Sequence, residues 1–217
     1  MSKIIVIGGH GHVARLLTPI LVSRGDTVTS IIRNPDQAAE LESLGAKPVV
    51  ADVEKLTIDS FGDVIQGHDA VVWSAGAGGG NPSRTSAIDR DAAIYSMQAA
   101  KIQGVSRYVM VSYSGSYINH GVDEHNDFFT YAQSKAIADA VLRNSGLDYT
   151  IVGPGALTHE PGTGLVSPAD AHGSVPRADV AAFVAAVLHD PTSIGQTYRF
   201  TSGDTAIADF VKSGGTH

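Results

Sequence analysis

The stretch Ile4-Ile5-Val6-Ile7-Gly8-Gly9-His10-Gly11-His12-Val13-Ala14 decides how the chain is read. An apolar run breaks into glycines and resumes with Val13, Leu16, Leu17, Ile20 and Leu21 at helical spacing, which predicts strand, tight turn and helix. The spacing Gly8-x-x-Gly11-x-x-Ala14 gives each small residue a task. Gly8 lets the chain turn out of the strand, Gly11 lets backbone approach a pyrophosphate, and Ala14 lets the helix pack closely on the sheet. The first helical turn then offers unpaired N–H groups and a positive dipole end to phosphate. Glycine-rich turns also serve simply to reverse a chain. Placement between a strand and a helix is what points to a dinucleotide.

Composition narrows the possibilities around that turn. The 217 residues are enough for one α/β domain with a full core and too few for two substantial ones, so residues 1–217 are read as a single domain. Hydrophobic content of 43% against 17% charged residues is that of a globular protein. A net charge of -7 argues against nucleic acid or an anionic membrane as partner, because both require clustered Lys and Arg. A small-molecule substrate is the better expectation. With no cysteine, thiolate catalysis, disulfides and cysteine-ligated zinc are excluded. The first strand starts at about residue 3, and no apolar run approaches the roughly 18 residues of a membrane span, so a cytoplasmic location is expected. No exposed seam announces an assembly, which leaves a monomer or a small homo-oligomer.

Outward from the turn, strands and helices alternate. Thr27 to Ile32 reads as the second strand, followed by Arg33, with Asn34 as N-cap and Pro35 at a first helical position. Lys47 to Ala51 reads as the third strand and ends at Asp52-Val53; Ala70 to Trp73 is the fourth and ends at Ser74-Ala75-Gly76. Ala77 to Pro82 is a glycine-rich loop, and Thr85 to Ile102 a long helix. Val105 to Val111 is the fifth strand, Phe128 to Asn144 a helix, Tyr149 to Val152 the sixth strand and Thr197 to Thr201 a last one. This order predicts a doubly wound parallel sheet of about seven strands with helices on both faces, a Rossmann fold. Residues 153–176, rich in glycine and proline and without sustained period, are expected to form an irregular loop on the substrate side.

Two groups of residues carry chemistry. The end of a second strand in a dinucleotide fold faces the adenine ribose, and Arg33 there suits a 2′-phosphate, favouring NADP (as NADPH) over NAD; a solvated surface arginine is the alternative. Tyr131 and Lys135 stand four apart on a predicted helix and so share a face. A nearby ammonium lowers a phenol pKa, so Tyr131 is a candidate proton donor to a carbonyl, with Ser112 at the end of the fifth strand as a polarising hydroxyl. The pair equally fits a packed aromatic beside a solvated charge. His120, His125, His159 and His172 lie in predicted loops, and no acidic or histidine spacing suggests a metal.

The glycine turn, Arg33, Ser74-Ala75-Gly76 and Tyr131-x-x-x-Lys135 resemble the short-chain dehydrogenase/reductase superfamily. Ser145-Gly146-Leu147-Asp148-Tyr149-Thr150-Ile151-Val152-Gly153-Pro154-Gly155-Ala156-Leu157-Thr158 is similar to its atypical NAD(P)H-binding branch, that of biliverdin reductase B and the NmrA-like proteins. The resemblance implies that Gly8, Gly11, His12 and Val13 bind pyrophosphate, Arg33 the 2′-phosphate, and Asp52 and Val53 the adenine. Ser74, Ala75 and Gly76 would border the ribose and nicotinamide, Lys135 would hold the nicotinamide ribose, and Pro154, Gly155, Ala156 and Leu157 would line the nicotinamide pocket. It implies NADP(H)-dependent hydride transfer to a carbonyl, quinone or flavin-like acceptor, or a non-catalytic NADP(H) sensor. The relatives usually carry an arginine where this chain has Gly153.

Overall fold

Lys3 to Ile7 forms the first strand (β1), and its side chains alternate between two cores: Ile4 and Val6 pack on one face of the sheet, Ile5 and Ile7 on the other. A strand apolar on both sides belongs in the middle of a parallel sheet, where helices cover both faces. The computed structural model describes residues 1–78, 81–169 and 173–215. Gly79 and Gly80 of the expected glycine loop, and His172 among the expected loop histidines, lie outside them.

The chain continues through α1 (His12–Ser23), β2 (Thr27–Ile32), α2 (Ala38–Ser43), β3 (Ala46–Val50), α3 (Ile58–Ile65) and β4 (Ala70–Trp73). After β4 one helical run contains α4 (Pro82–Thr85), a π-helical segment over Ser86–Ala92, and α5 (Ala93–Ile102). Then come β5 (Arg107–Val111), α6 (Phe129–Arg143), β6 (Asp148–Pro154), β7 (Ala156–Thr158), β8 (Leu165–Pro168), β9 (Ser174–Pro176) and α7 (Arg177–Leu188). The chain closes with β10 (Gln196–Ser202), β11 (Thr205–Ala206) and α8 (Ile207–Lys212).

Local sequence explains several boundaries. Asn34 accepts a hydrogen bond from Asp36 N and caps a 3-10 turn that Pro35 begins. The helix α3, absent from the sequence expectation, is set by a reciprocal capping box between Thr57 and Ser60. Helix α1 ends where Gly25 takes φ +87°, a conformation open to glycine without a Cβ penalty.

The main sheet runs β11-β8-β10-β6-β5-β4-β1-β2-β3. Seven strands, from β3 across to β10, are mutually parallel and are the seven expected. The count is corrected to nine because β8 and β11 add to the β10 edge in antiparallel sense. The same observation corrects the expectation of an irregular 153–176 loop: β8 pairs with β10, and β7 pairs with β9 in a separate two-stranded sheet. These strands are three or four residues long and obtain their hydrogen bonds from distant partners, so no local period marked them. Helices α1, α2, α7 and α8 cover one face, with Phe183 stacked at 4.2 Å on Phe200; α3, α5 and α6 cover the other, around Phe61, Trp73 and Met97. Strand order reverses between β1 and β4, which opens a crevice beyond their carboxyl ends.

Candidate cofactor and substrate site

The turn that leaves β1 fills the bottom of that crevice. Gly8 takes φ +88°, and a Cβ there would lie 2.6 Å from the backbone of Ala75, so β1 and the end of β4 touch only because residue 8 is glycine. Gly9 N donates to Ile31 O at 2.9 Å and Gly11 N to Gly8 O at 2.9 Å, which fixes the turn against β2. Gly11 is the N-cap of α1 and brings no capping side chain, leaving first-turn N–H groups for an anion.

A cleft of about 320 Å³ opens above this turn, lined in part by Gly8, Gly11, Arg33, Asp52, Val53 and Ser74. Ala75 and Gly76 also border it. Arg33 is exposed at the end of β2. Across the cleft, Arg84 donates to Glu54 Oε2 at 3.1 Å and to Ala77 O at 3.1 Å, tying the chain after β3 to the chain after β4. Shape, bare backbone and a free helix terminus fit a dinucleotide's adenosine and pyrophosphate, and Arg33 supplies a cation at the β2 end of the cleft. His12 lines a second cleft with Arg15, His159 and Arg177. Its pKa is lowered, first by partial loss of hydration and then by the positive fields of Arg15 and Arg177. Val13, behind it, is buried in the core.

Further along the same carboxyl edge, β5 and α6 bring together a buried polar cluster. Ser112 Oγ donates to Asp139 Oδ2 at 2.6 Å, and Ser116 Oγ donates to the same oxygen at 2.6 Å. Lys135 is 2% exposed; its Nζ donates to Val111 O at 2.9 Å and lies 3.7 Å from Met110 Sδ. Asp89, on the π-helical segment, accepts from Ala77 N at 3.0 Å. Burial raises the pKa of both Asp89 and Asp139, and in each the Lys135 charge is the strongest opposing influence. Tyr131, Tyr113 and Phe128 pack ring against ring at 5.1 to 5.5 Å.

One expectation is corrected here. The Tyr131 phenol is raised well above its ordinary pKa, by burial first and then by Asp89, Tyr113 and Asp139, rather than lowered by Lys135. The ammonium donates to the Val111 carbonyl, and its field acts on the buried Asp89 and Asp139. Tyr131 is therefore a neutral phenol, able to donate a hydrogen bond and slow to release its proton.

The segment after β6 lies outside the lining of the 320 Å³ cleft. Gly155 N donates to Phe200 O at 2.8 Å and Ala156 N to Gly173 O at 3.0 Å, so Pro154 to Leu157 run along the carboxyl edge of β10. Pro154 is buried, while Ala156 and Leu157 are exposed toward solvent. Asp179, at the start of α7, accepts from Thr163 N at 3.0 Å and Gly164 N at 2.7 Å and pins the following turn.

The NAD(P)H-binding family model matches residues 8–191, from the glycine turn to the end of α7. The chain belongs to that NAD(P)H-binding family. A Bacillus subtilis relative, called the uncharacterized sugar epimerase YhfK, is 34% identical over 215 residues, covering 97% of this chain and 99% of the relative. A Bacillus halodurans structure assigned as an NAD-dependent epimerase/dehydratase superposes with a TM-score of 0.88 at 35% identity, over 98% of this chain and 100% of the other. The oxidoreductase ylbE from Lactococcus lactis superposes with a TM-score of 0.86 at 29% identity, over 97% and 95% of the two chains.

For an NAD(P)H-binding chain, two residues stand out that sequence reading did not single out. Asp89 hid inside an apolar helical repeat with Ile88 and Ala92. Asp139 was visible in principle, since Tyr131, Lys135 and Asp139 form one four-residue series along α6. The Gly153 departure also has a structural counterpart: Gly153 pairs with Arg199 across β6 and β10, and the Arg199 guanidinium lies 4.1 Å over the Tyr117 ring. Among the described residues, no group of three or more His, Cys, Asp or Glu side chains is placed to hold a metal, and no helix is long and apolar enough to cross a membrane.

Proposed function

We propose that this chain is an NADP(H)-dependent reductase that reduces a carbonyl, quinone or flavin-like small molecule. The observation that carries the reading is one carboxyl edge holding both a dinucleotide-shaped cleft with Arg33 at the β2 end and hydroxyl donors beyond it at β5 and α6. Reduced nicotinamide, when bound, would supply the hydride. The backbone of Gly8, Gly11, His12 and Val13 holds the pyrophosphate, Arg33 the 2′-phosphate, Asp52 and Val53 the adenine. Ser74, Ala75, Gly76 and the Pro154, Gly155, Ala156, Leu157 segment enclose the ribose and nicotinamide. Ser112 and Tyr131 donate hydrogen bonds to the acceptor oxygen as negative charge develops on it, and Lys135 contributes positive charge from below. The aromatic wall of Tyr113, Phe128 and Tyr131 favours a planar, conjugated acceptor. A cytoplasmic monomer or small homo-oligomer is the setting proposed.

Titration with NADPH and NADH by nicotinamide fluorescence tests the cofactor assignment. Oxidation of NADPH in the presence of 9,10-phenanthrenequinone, menadione or FMN then tests the reaction. Tight NADPH binding with weak NADH binding supports the Arg33 role; binding of neither nucleotide overturns the reading.

A second reading has its own observation. Ser112 and Lys135 are both engaged with protein groups, Asp139 and the Val111 carbonyl, which suits a protein that binds NADP(H) and reports its redox state without turnover. That reading requires the 153–176 region to change protease sensitivity between NADP+ and NADPH. Identical digestion of the two forms counts against it.

A further inference from the structure

The carboxyl group of Asp139 is wholly buried and is reached by two hydroxyls on one of its oxygens. Its other oxygen, Oδ1, is buried without a hydrogen-bond partner among the described residues. An ionised carboxylate accepts both hydroxyl protons, and Ser112 then has no proton left to give an acceptor. A neutral acid reverses the direction: its O–H donates into Ser112 Oγ, and the Ser112 proton is freed for another acceptor. Burial of a carboxyl with an unpartnered oxygen favours the neutral form, and an acid one hydrogen bond behind a catalytic hydroxyl is a proton source. We propose that Asp139 is the proton store of this site, feeding the acceptor oxygen through the Ser112 hydroxyl.

The inference rests on the reductase reading and deepens it. The acceptor carbon takes a hydride from reduced nicotinamide, and the C=O π pair moves onto oxygen. That oxygen takes the Ser112 Oγ proton while Ser112 takes the Asp139 carboxyl proton. In sum C=O, NADPH and one proton become CH–OH and NADP+, and the Asp139 carboxylate regains its proton from water. The charged and titratable groups acting on Asp139 are Lys135 and Arg143 on its own helix, Arg199 on β10, and the phenols Tyr113 and Tyr131. Ser116 is the second donor, and it stabilises the ionised form that cannot feed Ser112.

Three measurements separate this proposal from the reading beneath it. NADPH binding tests the cofactor site alone and is expected to be the same in wild type and Asp139→Asn. The side-chain carboxyl carbon of Asp139, assigned by its disappearance in Asp139→Asn, is followed by NMR of aspartate-labelled protein across pH. A titration above the ordinary aspartate range is expected, and a carboxylate ionised throughout that range overturns the proposal whether or not turnover is found. With 9,10-phenanthrenequinone as acceptor, wild-type kcat should fall as pH rises through that titration. Asp139→Asn should lose about 100-fold in kcat at neutral pH and lose that alkaline limb. Ser116→Ala, which removes a hydrogen bond that favours the ionised form, should move the limb to higher pH, a shift that a merely structural carboxyl would not produce. An unchanged limb in both variants overturns the proposal.

Discussion

Gly8 and Ala75 meet so closely that a single Cβ on residue 8 would lie 2.6 Å from the Ala75 Cα and N. No side-chain rotation relieves that clash, since both partners are backbone, and φ +88° adds strain for any other residue. Gly8→Ala should therefore push β1 and β4 apart at the floor of the crevice. The expected outcome is a loss of about 1–3 kcal/mol in urea unfolding together with at least a tenfold loss of NADPH affinity. Wild-type affinity in a folded Gly8→Ala protein would remove the turn from the binding site.

Arg33 is exposed and makes no hydrogen bond or ion pair among the described residues, so its replacement isolates ligand recognition. Arg33→Ala should weaken NADPH by about 10- to 100-fold, the scale of a lost charge-assisted hydrogen bond, and leave NADH nearly unchanged. Calorimetric titration with both nucleotides measures this. Equal weakening of the two would place Arg33 on the ribose or base rather than on the 2′-phosphate.

Lys135 is the cation whose field acts on both Asp89 and Asp139. Lys135→Met keeps the stem volume and removes the charge, taking away the positive field that opposes the effect of burial on Asp89 and Asp139. A loss of stability is expected in denaturant unfolding above the pH at which these acids ionise. The loss should shrink as pH falls and the carboxyls protonate. A pH-independent loss would mean that packing, not charge, is what Lys135 contributes.

The same two acids contribute to the pH dependence of the wild type. Their folded pKa values are raised above the unfolded range, so between the two the native state binds more protons and stability falls as pH rises. The contribution is fully present below the unfolded value of about 4 and is lost as pH passes the folded values. Unfolding free energies measured from about pH 4 upward should decline less steeply in Asp139→Asn than in wild type. Parallel curves would contradict this.

His12 gives the opposite sign. Its lowered pKa means that the folded chain resists protonation there, so its contribution is present above the unfolded value of about 6.5 and lost as pH falls through the folded one. Imidazole titration by NMR should find His12 below the ordinary histidine value, and Arg177→Ala should bring it closer. No response to Arg177→Ala would remove that guanidinium from the field at the mouth of the second cleft.

What sequence alone determined is the part of the molecule governed by local chemistry. Glycine at 8 and 11, apolar alternation in Ile4 to Ile7 and helical spacing after Val13 specify β1, its turn and α1, because each depends on neighbours within a few residues. Repeating that logic along the chain recovers all seven parallel strands and places Arg33, Asp52 and Ser74 at strand ends, hence at one cleft. Tertiary structure decided what depends on distant partners. The short strands β7, β8 and β9 exist only because β10 and one another supply their hydrogen bonds. Spacing put Tyr131 and Lys135 on one helical face, but it could not say that Lys135 would donate to Val111 O or that its field would act on Asp89, both remote in sequence. Nor could it reveal that the Ser112 hydroxyl would be hydrogen-bonded to Asp139, 27 residues away. Charge and desolvation act through space, and the distances that set them are fixed only when β5, the π-helical segment and α6 pack together.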